Sequence, residues 1–460
     1  MIDRFLYSLA FLALLLVAAP GFAQDDDPPP VEEPSGGVEI DAKGVFRSRA
    51  LFDNSGRLDR ERMKAADRAL NADIKKSSKF RKVSLNRLEA EAAKLIAEGK
   101  PLPPEMQYLA GLTRITHVFY FEETKDIVIA GPAEGFYLNG GDRVVGMKSG
   151  SPVLHLEDMV VALRSYGPEG KSPRVISCSI DPTQKGLVNL KNAYAHAQRN
   201  FRGGDEAEVV NYFRNALGMQ TITVKGVSPR TRFAQVMVDA DYHMKLIGIG
   251  LERPPVRITN FIDKASPTSV AKNSLQRWYF KPDYECVRVS RDETAMTFEG
   301  GGVELVGEDE KVAAGGNRTR TGRMNRASQG YCRSFTKMYD ALAKKAPLYA
   351  ELRNVIDMSV AAAFIQEMDF YKEAGWELKT FGDESKYRVE RYAAPTQVEP
   401  CINAVWKGSF FMTPIGGGVN IQPRAALSPN RMQVDDSGKI DGAKKDVKTD
   451  KLTEGQWWWD

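Results

Sequence analysis

The segment PLYAELRNVIDMSVAAAFIQEMDFYKEAG, residues 347 to 375, constrains the fold more than any other. It opens on proline, which a helix tolerates in its first turn, and closes on Gly375, the residue type that most readily ends one. Its MSVAAAFI centre is apolar around most of the helical barrel, and a helix without a polar face has to be enclosed by other elements. The rest of the chain offers material to enclose it. SLNRLEAEAAKLIAEG, DEAEVVNYFRNALG and RSFTKMYDALAKK read as further helices, the first with Leu85, Leu88, Ala92 and Leu95 on one stripe. Short β-prone runs lie between them: ITHVFYF and DIVIAGP around a hairpin-length EETK, then RVISCSI, QTITVKGV, RWYF, ECVRVS, AMTF and VELVG, the last four read as a meander.

This alternation predicts an α+β fold, helices packed on small antiparallel sheets, in two imperfectly separated domains, 39–225 and 226–427. Residues 308–330 lose apolar side chains and swing from acidic to basic, which reads as a long mobile loop. Residues 428–460 are charged and poor in apolar side chains until QWWWD, and read as a disordered tail.

The N-terminal FLYSLAFLALLLVAAPGFAQ is an apolar run closed by small residues, the pattern of a signal peptide over residues 1–23, with cleavage expected after Ala23. The acidic, proline-rich stretch 24–38 follows as a spacer. The expectation is an exported protein, periplasmic or extracellular, with no transmembrane span in the mature chain. A net charge of +4 gives no electrostatic case for nucleic acid. For Cys178, Cys286, Cys332 and Cys401, two disulfides and buried free thiols stay open as alternatives. His117, His155, His196 and His243 are too far apart in sequence to suggest a metal site, and no cofactor motif is found.

VMVDADYHMKLIGIG, residues 236–250, concentrates titratable groups most tightly. As a strand it would put Asp239, Asp241, His243 and Lys245 on one face. Its flanks favour a helix: Ser228 as N-cap, Pro229 in the first turn, Gly248 as the stop. Then Phe233, Val236, Met237, Ala240, Met244 and Ile247 form the buried stripe. Asp239 with His243 and Asp241 with Lys245 become i,i+4 pairs on a solvated face. Asp239 and His243 are the catalytic candidates, a carboxylate one turn from an imidazole it can orient.

Other motifs exclude chemistry. GPEGKS at 167–172 has the wrong spacing for a phosphate loop, and no GxSxG occurs. GGDRVVGMKSGSPVLHLEDMVVALRSYG resembles the back half of a PDZ domain, which suggests a peptide-binding module around 130–167. Arg318, Arg320, Arg323 and Arg326 form a basic series able to meet an acidic glycan or wall polymer. Trp457, Trp458 and Trp459 are costly to expose, and either fold back on the domain or insert into a partner or membrane interface.

VIAGPAEGF, VVGMKSGSPVLHLEDMVVALRS, SCSIDPTQKGL, FAQVMVDADYHMKLIGIGLE and PLYAELRNVIDMSVAAAFI together resemble a family of exported planctomycete proteins known only as a domain of unknown function. The resemblance spans residues 105–370 and leaves out the spacer and the tail. It implies a bacterial source and export; it carries no activity, so no catalytic residues transfer. The expected role is a non-catalytic binding or envelope-associated component, with an envelope protein or cell-surface polymer as partner. The alternatives are a hydrolase without a standard motif, using Asp239 and His243, and the PDZ-like peptide binder.

Overall fold

The computed structural model describes residues 37–48, 55–270, 274–283 and 285–460. The expected signal peptide and the spacer up to residue 36 lie outside them. The architecture is α+β. Helix Pro347–Glu367 runs through the middle, buried along nearly its whole length, as its all-round apolar sequence requires. It packs against helices Leu156–Ser165, Arg232–Gly248 and Arg326–Ala343. Its end differs from the sequence reading: the helix stops at Glu367, Asp369 takes a left-handed φ of 58°, and a separate short helix, Phe370–Ala374, carries the chain to Gly375.

The sheets are larger than expected and partly parallel. In the first, nine strands run in the order Val38–Ile40, Val45–Ser48, Gln397–Val398, Gln220–Lys225, Ile176–Asp181, Ile415–Ile421, Ser274–Pro282, Val303–Val312 and Arg318–Arg320. Two of its pairings are parallel, Ser274–Pro282 with Ile415–Ile421 and Gln397–Val398 with Val45–Ser48. The second holds seven strands, in the order Gln433–Val434, Val287–Val289, Ala295–Phe298, His117–Phe121, Asp126–Ala133, Ser78–Ser84 and Trp458–Trp459. Both sheets draw strands from both sides of residue 225, so the chain does not divide there. The expected meander is split for the same reason: Ser274–Pro282 pairs with Val303–Val312 in the first sheet, while the hairpin between them crosses to the second.

The centre of the first sheet depends on the GGG of strand Ile415–Ile421. Gly417 has φ 134°, and a Cβ there would lie 1.7 Å from the Trp278 carbonyl oxygen; one on Gly418 would lie 1.8 Å from that of Cys178. Only glycine admits a backbone so close to both neighbours.

Three further expectations are corrected. Residues 308–330 are not a loop: Val303–Val312 and Arg318–Arg320 form an antiparallel hairpin, and helix Arg326–Ala343 starts at once, capped by Asn325. The arginines are also dispersed. Arg318 pairs with Asp181 at 2.9 Å and Arg320 lies 3.7 Å from Glu308, while Arg323 and Arg326 are exposed further on.

The segment 428–460 is not a disordered tail. It contributes strand Gln433–Val434, helix Lys439–Asp446 and an edge strand in which Trp458 pairs with Val83 and Trp459 with Lys82. The tryptophans fold back: Trp457 is buried and the Arg81 guanidinium lies 4.9 Å from the Trp458 ring. Arg81 is itself buried and grips the Asp460 carboxylate with two bonds, Nε at 2.9 Å and Nη2 at 2.8 Å. The three rings supply the apolar area and the ion pair fixes the register.

The PDZ-like reading also fails on packing. Strand Asp126–Ala133 has both edges taken, by His117–Phe121 and Ser78–Ser84, and helix Leu156–Ser165 is buried on every face but that of Arg164. No open groove is left for a peptide strand between them. All four cysteines are unbridged, and Cys178, Cys286 and Cys332 are buried.

Candidate functional site

Helix Arg232–Gly248 forms as its periodicity predicts. Its cap is Thr231, whose hydroxyl accepts from the Ala234 N–H, in place of the expected Ser228. Its charged face, expected to be wet, is dry. Asp239, Asp241 and Lys245 are buried, because the helix lies between the first sheet on one side and helices Leu156–Ser165 and Pro347–Glu367 on the other. Lys245 donates to Asp241 at 2.7 Å and to the Ile180 carbonyl at 3.0 Å. Burial pushes Asp241 up to about 6 against the pull of Lys245.

Asp239 belongs to a longer buried network. Arg143 donates to Asp239 at 2.8 Å and to Glu351; Arg232 donates to Glu351 at 2.5 Å and to Asp158. Each acid thus meets an arginine that shares itself with another acid. This is how buried charges are tolerated, since an unpaired one would cost several kcal/mol.

The structure brings the two catalytic candidates together, with His243 Nε2 3.4 Å from an Asp239 oxygen. It also adds partners that the sequence did not reveal. Nε2 lies 2.7 Å from the Ser48 hydroxyl, and Nδ1 binds Glu252. Serine, imidazole and carboxylate follow one another as in a nucleophile relay. The charge is wrong for one. Burial alone would lower the imidazole, but hydrogen bonds to Asp239 and Glu252 outweigh it and raise His243 to about 10. At neutral pH Nε2 carries a proton and donates it to Ser48, and an imidazolium has no lone pair with which to take the serine proton. His243 is a clamp between the helix, strand Val45–Ser48 and the loop that carries Glu252.

At the other end of the network lies a cleft of about 570 Å³. Its charged lining is mostly cationic, Lys100, Arg232, Lys386, Arg388 and Arg391 against Asp142 and Glu157, with His155, Tyr108, Tyr387 and Tyr392 beside them. Glu157 sits in the first turn of helix Leu156–Ser165, directly after His155 and Leu156. The Tyr392 hydroxyl donates to it at 2.9 Å and Arg391 Nη2 at 3.1 Å. Burial would raise Glu157, yet the contact from His155 Nδ1 at 3.5 Å and the charges of Arg391 and Arg232 hold it well below the usual carboxylate range. Burial, with Arg232 adding repulsion, lowers His155 to about 4, so its ring is neutral. Its Nε2 is buried without a hydrogen-bond partner.

A larger cleft, about 710 Å³, lies between the turn at Glu122 and helix Lys439–Asp446. Its lining mixes both signs, Glu122, Glu123, Asp292, Asp441 and Asp450 with Arg291, Lys444, Lys445 and Lys448. Among the described residues, none of the buried side-chain atoms left without a partner belongs to it. The cation-lined cleft is the better candidate on both counts.

Helix Arg232–Gly248, which carries Arg232 and Asp239 of the network and the His243 clamp, lies in a stretch that matches a known family model. Residues 178–261 match the family model described as a protein of unknown function, DUF1598. The matched stretch supplies Arg232, Asp239, Asp241, His243, Lys245 and Glu252. It holds one of the five motifs on which the sequence resemblance rests and all but Ser177 of a second, and the match carries no statement of source, location or activity. No curated protein and no solved structure matches the chain.

Sequence reasoning missed the cleft residues. In sequence, His155 and Glu157 fall inside the PDZ-like pattern, and Arg391 and Tyr392 belong to no motif. The usable signal was HLED, a histidine two positions before a carboxylate at a helix start, a place where acids are held by the helix dipole.

Proposed function

We propose that the protein is a binding component, exported and associated with the cell envelope, whose cleft takes an anionic ligand. The observation that carries this reading is the excess of cations around the cleft beside three tyrosines. Fixed positive charge in a concave, partly apolar site raises the local concentration of anions and orients them, and tyrosine supplies flat contact area with a polar tip. The arginines suit carboxylate, sulfate or phosphate groups, which they can meet with two parallel bonds. The apolar N-terminal run supports export.

The test is a thermal-shift titration with tricarballylate and pyrophosphate at low ionic strength. Binding to the folded state raises Tm by a few degrees, the rise shrinks in high salt, and it is lost in the double variant Arg388→Ala/Arg391→Ala. No shift with either anion up to millimolar concentration rejects the reading. Export is checked by N-terminal sequencing of protein from native cells, where Gln24 is the expected first residue.

The order Ser48, His243, Glu252 supports a second and weaker reading, a hydrolase. A fluorophosphonate probe that labels the wild type and not Ser48→Ala would favour it. An unlabelled wild type, with Asp239→Ala and His243→Ala leaving function intact, removes it.

A further inference from the structure

We infer that the cleft selects a hydroxylated organic anion, such as an acidic saccharide unit, and that His155 reads its hydroxyl group. This rests on the anion-binding reading above and adds the ligand's chemistry to it. His155 is nine-tenths buried, lines the cleft, and has no hydrogen-bond partner for Nε2. An unpartnered polar atom in a buried setting costs free energy that a ligand can return.

The tautomer follows from the neighbours. Nδ1 faces Glu157 Oε1 at 3.5 Å, and that carboxylate is kept ionised by Arg391 and by the Tyr392 hydroxyl. A carboxylate only accepts, so the one ring proton sits on Nδ1 and Nε2 presents a lone pair. The group that completes it is a donor, an O–H or N–H.

A cationic partner for that lone pair is disfavoured by Arg232, Arg388 and Arg391 around the same cleft. What remains is a neutral donor on a molecule that also carries negative charge. The third requirement is a flat apolar face. Tyr108 meets the imidazole edge-on, ring centroids 5.1 Å apart, and is half-buried in the cleft wall, where it offers a ligand at His155 an aromatic surface. Sugar rings present C–H faces to aromatic side chains and hydroxyls at their edges. A carboxylate or sulfate on such a ring satisfies all three demands. The cleft, at about 570 Å³, has room for a short oligomer.

Isothermal titration separates the possibilities with four probes. Trigalacturonate carries hydroxyls and carboxylates, glucose 6-sulfate carries hydroxyls and a sulfate, tricarballylate carries charge without hydroxyls, and maltotriose carries hydroxyls without charge. The expected result is binding of trigalacturonate or glucose 6-sulfate about ten-fold or more tighter than tricarballylate, and none of maltotriose. Whichever of the first two binds tighter identifies the acid group. His155→Phe removes the advantage of the hydroxylated anions over tricarballylate, while Arg391→Ala weakens all the anions. Equal affinity for hydroxylated and plain anions, or an unaltered His155→Phe profile, overturns the role of His155 and leaves the anion cleft standing. Failure of every anion overturns both.

Discussion

His155 and His243 are both largely buried, and each lies against a glutamate, yet they end in opposite charge states. At His155 a single carboxylate is already engaged by Arg391 and Tyr392, and Arg232 adds repulsion, so burial decides and the ring stays neutral at about 4. At His243 two carboxylates, Asp239 and Glu252, face one imidazole, and together they outweigh burial and raise it to about 10. The contrast teaches that a histidine's chemistry is set by how many unspent charges surround it, which its place in the chain does not disclose. The histidine that drew attention in the sequence is spent on structure, and the one that passed unnoticed has an atom to spare.

The two histidine regions are joined through Arg232, and the largest effect is expected there. Arg232 links Asp158 and Glu351, and its removal leaves both acids buried with less compensation; Arg232→Ala should cost about 3–5 kcal/mol. The denaturant midpoint measures it, and a loss below about 1 kcal/mol would mean that the network does not hold the two ends together.

A smaller effect is expected at the charged histidine. His243→Gln should cost about 1–3 kcal/mol near neutral pH. Its folded value lies above the ordinary one, so the clamp's contribution is complete below about 6.5, declines as pH rises, and is gone at about 10. The gap between wild type and variant should close along that course, and a gap that widens with pH would reverse the assignment.

At the neutral histidine the sign is opposite and the effect smaller. The folded value lies below the ordinary one, so the contribution is present above about 6.5 and is lost as pH falls toward 4. At pH 5.5 the wild type should have lost about 1 kcal/mol more than His155→Phe, relative to pH 8, in urea unfolding. Parallel pH profiles would show that His155 is not held neutral.

Much of the local structure was legible. Helix Pro347–Glu367 could be read from its all-round apolar centre, and helix Arg232–Gly248 from its 3, 4 and 7 spacing. The wetness of the second helix was not, because Asp241 and Lys245 make the same i,i+4 pair on a surface or in a core. What settles it are strands Ile176–Asp181 and Ile415–Ile421, far away in sequence, whose Ile180 and Gly417 carbonyls accept from Lys245. Strands were legible one by one, but their partners were not: nothing local in RWYF or AMTF tells which of two sheets each will join. The closing segment was misread from its polar average, although Trp457, Trp458 and Trp459 were the sign that it docks. The clamp was half visible, since His243 stood out while Ser48 and Glu252 come from elements read as unremarkable.

The interlocked sheets carry a consequence for biogenesis. The nine-stranded sheet needs both Val38–Ile40 and Ile415–Ile421, and the seven-stranded one is not closed until Trp459 arrives. A chain leaving the ribosome cannot complete either layer early, and such long-range pairing is slow to find. Until the last residues are in place, the unfilled edges of both layers stay open to wrong partners.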